Sequence, residues 1–142
     1  MNDEDPYHLE RFVTAQRDVY PDVLAELRAG RKRSHWMWFI FPQLEGLGRS
    51  PTAVRYAIKS RAEAEAYLKH PVLGARLREC TRLVNSHDNV SAYAIFGDPD
   101  DLKFRSCMTL FARINPDETI FAEALQAFFK GEPDPATIQR LS

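Results

Sequence analysis

Apolar residues recur along this chain at intervals of three and four, the spacing that lays them along one side of an α-helix. Prolines and short polar residues mark where each run begins. Asp5-Pro6 reads as a cap and first helical residue, followed by Leu9, Phe12, Val13 and Gln16. Tyr20-Pro21 opens a second run, Val23, Leu24 and Leu27, that stops at Gly30. Ser50-Pro51 begins a third, with Val54 and Ile58 one turn apart. Ser60 and Glu63 form a capping box, and the helix they open is expected to end before Pro71, because a residue preceding proline is pushed out of the α region.

After Pro71 the row Val72, Leu73, Leu77, Cys80 and Val84 makes an amphipathic stripe. Ser91 predicts the cap of a short turn through Tyr93, Ile95 and Phe96. Asp98-Pro99 repeats the cap-plus-proline signal ahead of Phe104, Cys107, Met108, Phe111 and Ile114. A further helix is predicted over about 117–130, with Gly131 just past its end, and a last turn from Pro135 to Leu141. No stretch alternates with period two for long enough to predict a strand. The one β-like candidate is residues 36–41, WMWFIF, whose aromatic content suits strand and helix equally. The pattern predicts an all-α, compact single-domain bundle over residues 1–142, with about seven short helices around an aromatic-rich central segment.

Composition supports a self-sufficient core. A chain of 142 residues is about the modal size of one domain, and 44% hydrophobic with 11% aromatic residues lets it fold without disulfides or a structural metal. Cys80 and Cys107 are too few for a disulfide framework and match no zinc spacing, so they are expected as small buried hydrophobes in a reducing cytosol. The opening MNDEDPYHLE lacks the basic and apolar regions of a secretory leader. No apolar run approaches the roughly 18 residues of a membrane span. A cytoplasmic location without a membrane partner is the expectation.

The formal net charge of −1 conceals an uneven distribution. Residues 1–30 carry three basic and seven acidic groups, whereas residues 31–61 carry seven basic and one acidic. Residues 62–96 balance, and residues 97–142 are acidic again, with five basic and eight acidic groups. A basic middle between acidic ends argues for a local electrostatic feature and against a general nucleic-acid binder, whose domain is strongly basic overall.

Within that basic middle, residues 31–43 read RKRSHWMWFIFPQ. Six consecutive apolar residues call for burial on every side, each large one contributing about 1.5–3 kcal/mol. One reading makes this the core spine, with Arg31, Lys32 and Arg33 a solvated lead-in. A second starts from the polar atoms that burial obliges to find partners: the indole N–H groups, the two ring nitrogens of His35 and the carboxamide of Gln43. Trp36, Trp38, His35 and Gln43 beside Arg33 have the composition of a site for an aromatic or nucleotide-like anion, offering stacking faces, directional hydrogen bonds and positive charge.

The candidate partner is DPDDLKFRSCMTLF, residues 98–111. Phe104, Met108 and Phe111 are expected to face the core, leaving Asp100, Lys103 and Ser106 elsewhere. Asp101 and Arg105, four apart, suit a surface ion pair worth a few tenths of a kcal/mol, about 0.2–0.5. Alternatively Lys103 and Arg105 meet an anion, with Asp100 or Asp101 accepting a proton. Of the four histidines, His8 and His70 fall at predicted surface positions and His87 in a loop. His35 alone borders both cations and aromatics, which makes it the acid–base candidate, with Asp101 as its catalytic partner. No zincin, P-loop, dinucleotide or nucleophile-elbow motif occurs, so neither a metal nor a cofactor is predicted.

SHWMWFIFPQ and DDLKFRSCMTLF, with the RAGRKR lead-in, closely resemble the family known as domain of unknown function eighteen-ten, whose members are sometimes called calpastatin-like. The resemblance runs from about Leu9 to Leu141 and implies a compact all-helical domain. It carries no activity across, and a core-rich sequence is unlike the disordered segments of calpastatin. The Lys103-Phe104 pair is also similar to one in small helical domains associated with ADP-ribose, which makes nucleotides worth testing.

Three readings of function follow. In the first, the protein binds or processes a phosphorylated or nucleotide-derived small molecule in a pocket lined by Trp36, Trp38, His35, Arg33, Gln43, Lys103 and Arg105. In the second, the basic side chains of residues 31–61 share an exposed face and bind an acidic protein or RNA. In the third, the protein is a ligand-free helical scaffold or oligomer component.

Overall fold

The central element of the molecule is a fifteen-residue helix, Asp100–Ile114, whose inward residues Phe104, Cys107, Met108, Leu110 and Phe111 are fully buried. The computed structural model describes residues 5–141. Among these, ten helices follow one another: α1 (Glu10–Arg17), α2 (Tyr20–Ala29), α3 (Met37–Ile40), α4 (Pro51–Arg55), α5 (Arg61–Lys69), α6 (Leu73–Asn85), α7 (Ala92–Phe96), α8 (Asp100–Ile114), α9 (Ile120–Phe129) and α10 (Pro135–Leu141). The expected class, all-α, is observed. The count of about seven is corrected to ten among the described residues, because the segments α3, α7 and α10, read as undecided or as turns, each close into helix.

Residues 36–41 form no strand. Trp36, Met37, Ile40 and Phe41 are buried while Trp38 and Phe39 are half-buried, and inward positions one and four apart are those of a helical turn. The β-like feature among the described residues is an isolated parallel bridge between Leu44 and Ile58. Trp36 and Phe41 then pack into an aromatic cluster. Phe41 meets Phe104 edge-on at 5.0 Å, and Phe104 stacks on Phe96 at 4.7 Å. Such pairs add about 0.5–1.5 kcal/mol beyond area burial.

Local signals set several of the boundaries. Ser50, Ser60 and Ser91 each accept a hydrogen bond from the N–H three residues on. Gly30 ends α2 in the left-handed conformation at φ 73°, where a side chain is strained, and this turns the chain back toward α7. There Lys32 N–H donates to the Ile95 carbonyl at 2.7 Å. The RKR lead-in is thereby tied to the approach to α8, which brings the two singled-out segments side by side. No helix of the described residues is long and apolar enough to cross a membrane.

Candidate functional site

Glu26, in the last turn of α2, organises the loop that follows. Its carboxylate accepts from the backbone N–H of Arg33 at 2.7 Å and of Ser34 at 2.9 Å, from the Ser34 hydroxyl, and from Trp36 Nε1 at 3.0 Å. Burial by itself raises the pKa of this acid, but the hydrogen bonds from Ser34, Arg33 and Trp36 together outweigh it and hold the group down at about 2. The donor demanded by the buried indole is thus met inside the protein.

With the loop fixed, Lys32 points inward. Its side chain is only 7% exposed, and its ammonium pairs with Asp100 at 2.9 Å, donates to the Ser34 carbonyl and lies 5.0 Å from the centre of the Trp36 ring. Asp100 sits in the first turn of α8, where a carboxylate is favoured by the helix dipole. Its other oxygen faces Lys103 at 3.5 Å, and the Lys103 ammonium lies 5.2 Å from the centre of the Trp38 ring. The result is a chain of charge and aromatic faces, Trp36–Lys32–Asp100–Lys103–Trp38, with its Trp36 end buried and its Trp38 end partly open.

The candidate residues divide across this arrangement. Trp36 is 1% exposed, so its ring packs in the core and presents no free stacking face. Trp38 is half-buried and Lys103 borders it. Arg33 and His35 are exposed, and neither side chain has a hydrogen-bond or ion-pair partner among the described residues. Asp101 accepts from the Leu102 N–H at 2.9 Å, a local contact away from Lys32. Gln43 contributes its backbone carbonyl to the Ile58 N–H, and its side chain lies beside Gly48.

Arg105 is used elsewhere. It donates to the carbonyls of Glu132 and Pro133, both at 3.0 Å, and stands 3.9 Å from the Glu132 carboxylate. The expected Asp101–Arg105 ion pair is therefore corrected, since those two backbone acceptors direct the guanidinium toward the α9–α10 connection. Two histidines are structural. His70 Nδ1 accepts from the N–H groups of Val72 and Leu73, and His87 Nε2 meets the Leu27 carbonyl at 2.6 Å against Gly30.

Sequence reasoning missed Glu26 and Lys32, and it chose Asp101 as the acidic partner where Asp100 is the carboxylate that joins the two segments. One signal was present: an acid in the last turn of a helix opposes the dipole, which implies a local partner set strong enough to compensate. The basic stretch also splits. Lys32 is inside, whereas Arg55, Lys59 and Arg61 are exposed and line hollows distant in sequence from the Arg31–Arg33 lead-in. Five surface hollows of about 250–570 Å³ among the described residues are lined by residues other than His35, Trp38 and Lys103, so the expected pocket around these three is not one of them; Trp38 and Lys103 instead meet as a platform beside Asp100. Among the described residues no group of three His, Cys, Asp or Glu side chains is placed to share a metal ion.

Comparison with known proteins agrees with the fold. The chain is similar to the conserved hypothetical protein Rv1873 from Mycobacterium tuberculosis, whose crystal structure was determined at 1.38 Å. The two share 56% identity over 96% of this chain and 98% of that one, with a TM-score of 0.95. No curated protein matches. The family model described as a protein of unknown function (DUF1810) matches residues 6–141. The chain belongs to that family.

Proposed function

We propose that the protein binds an anionic, nucleotide-like small molecule on the platform formed by Trp38 and Lys103, with Arg33 and His35 at its edge. The observation that supports this reading is the meeting of the two segments through Asp100, which sets a lysine ammonium against a partly open indole. Asp100 is held at 2.9 Å by the buried Lys32, so its 3.5 Å contact with Lys103 is the looser arm. An incoming phosphate takes over Lys103 while Asp100 keeps its charge partner. A planar base stacks on Trp38, where cation and ring faces already coincide. Of the candidate proton-transfer groups, His35 is exposed and uncommitted, and Asp101 sits at the start of α8 beside Asp100.

Thermal unfolding with nucleoside diphosphates, nucleotide sugars and sugar phosphates tests the reading. A ligand at one hundred times its dissociation constant stabilises by about 2.7 kcal/mol. The expected result is a rise in Tm for wild type that is largely lost in Lys103→Ala and reduced in His35→Ala. A panel that leaves wild type unmoved, or a shift that Lys103→Ala retains in full, contradicts it.

A further inference from the structure

Three cations that the Trp38–Lys103 platform does not use converge on another hollow. Lys59 follows the Leu44–Ile58 bridge, Arg61 opens α5 and Arg140 lies near the end of α10. Together with Glu45 and Ser60 they line a hollow of about 250 Å³. Among the described residues none of the three side chains has an ion-pair or hydrogen-bond partner. Among the described residues of that lining Glu45 is the one carboxylate, against three cations.

The placement of Arg140 depends on two features remote from each other. Gly46 has φ 94°, and a Cβ there would fall 2.2 Å from Arg140 Nη1, so the guanidinium packs directly over Gly46 and a larger residue would push this flexible side chain aside. At the other end of α10, Asp134 accepts from Ser106 Oγ at 2.9 Å and Thr137 Oγ1 at 2.6 Å, docking the helix on α8.

We propose that this hollow is a binding site for a phosphomonoester dianion. Two guanidinium forks and an ammonium suit three acceptor oxygens arranged about one phosphorus, and a phosphoryl group carries about −1.5 to −2 charge at neutral pH, the charge the hollow offsets. The Ser60 oxygen accepts from Glu63 N–H, leaving its hydroxyl proton free to donate to a phosphoryl oxygen. Lys59 also lines a neighbouring hollow of about 290 Å³ with Tyr7, His8 and Arg55, which gives room for the group the phosphoryl carries. The site shares no residue with the platform, so either stands without the other.

The test is an NMR titration of the full-length protein with inorganic phosphate at constant ionic strength. Saturable shifts are expected at the amides of Gly46, Lys59, Arg61 and Arg140. Arg140→Gln, a change at an exposed side chain, is expected to weaken binding tenfold or more, and Gly46→Ala to do the same by displacing the guanidinium. Lys103→Ala is expected to leave the titration unchanged, which separates this site from the nucleotide reading. Parallel titrations with adenosine monophosphate and a phosphoserine peptide identify the source: tighter binding of the first assigns a free metabolite, of the second a phosphorylated protein segment, and both support the site. Shifts that do not saturate, that sodium chloride reproduces, or that Arg140→Gln leaves at wild-type affinity overturn it.

Discussion

Glu26 carries an energetic role out of proportion to its ordinary appearance in the sequence. Its carboxylate gathers two backbone donors, a hydroxyl and an indole, all from the loop that delivers Lys32 and Trp36. Hydrogen bonds to a charged acceptor contribute about 1.5–3 kcal/mol each when a partner is removed. Glu26→Gln keeps one acceptor oxygen and loses the charge, so urea unfolding is expected to report a loss of about 1–3 kcal/mol. The acid is depressed on folding, so its contribution is present above the ordinary carboxyl pKa of 4.5 and is lost as pH falls toward about 2. Wild type is therefore expected to lose stability between those values more steeply than Glu26→Gln. An equal pH dependence of the two would contradict the assignment. Trp36 was legible as a buried residue because an apolar run needs a core. That its N–H would be answered from α2 was not, since that contact depends on the left-handed turn at Gly30.

Among the elements, α10 shows how a short helix is held. Asp134 accepts from Ser106 Oγ, Thr137 Oγ1 and Thr137 N–H, while its own N–H donates to Thr109 Oγ1 at 2.8 Å, and Arg105 fastens the preceding turn. Asp134→Ala removes the acceptor that these donors share and is expected to cost about 1–3 kcal/mol. Hydrogen exchange is expected to show amide protection falling first in α10 and little in α8. Stability within about 0.5 kcal/mol of wild type would argue that α10 docks through its apolar contacts alone. Helix starts marked by Ser50, Ser60 and Ser91 were legible because one local bond defines each. The start of α1 was displaced: Asp5 caps by accepting from Leu9 and Glu10 N–H, so the helix begins at Glu10 and not beside Pro6. The end of α9 was also displaced, with Lys130 itself left-handed at φ 57° ahead of Gly131. A non-glycine residue in that conformation leaves no mark in the sequence.

For the molecule as a whole, periodicity and caps foretold an all-helical architecture, and the family match over residues 6–141 with the 56% identical relative agrees with it. The pairing of the two segments was legible as a possibility, because each held uncompensated charge beside aromatic residues. Which lysine would turn inward was not, for the choice between Lys32 and the arginines flanking it rests on the Ile95 carbonyl and Asp100, more than sixty residues away in the chain. The cation-lined hollow at Arg140 was invisible for the same reason: Lys59 and Arg61 meet an arginine from the far end of the chain. The two tryptophans provide the most direct test of the central claim, that the segments meet to form a ligand platform at the open end of the charge chain. In a titration with a nucleoside diphosphate followed by the two indole N–H resonances, the account predicts that the Trp38 signal moves saturably while the Trp36 signal, bonded to Glu26, stays in place. Saturable binding that leaves the Trp38 signal unmoved, or no binding at all, would contradict it.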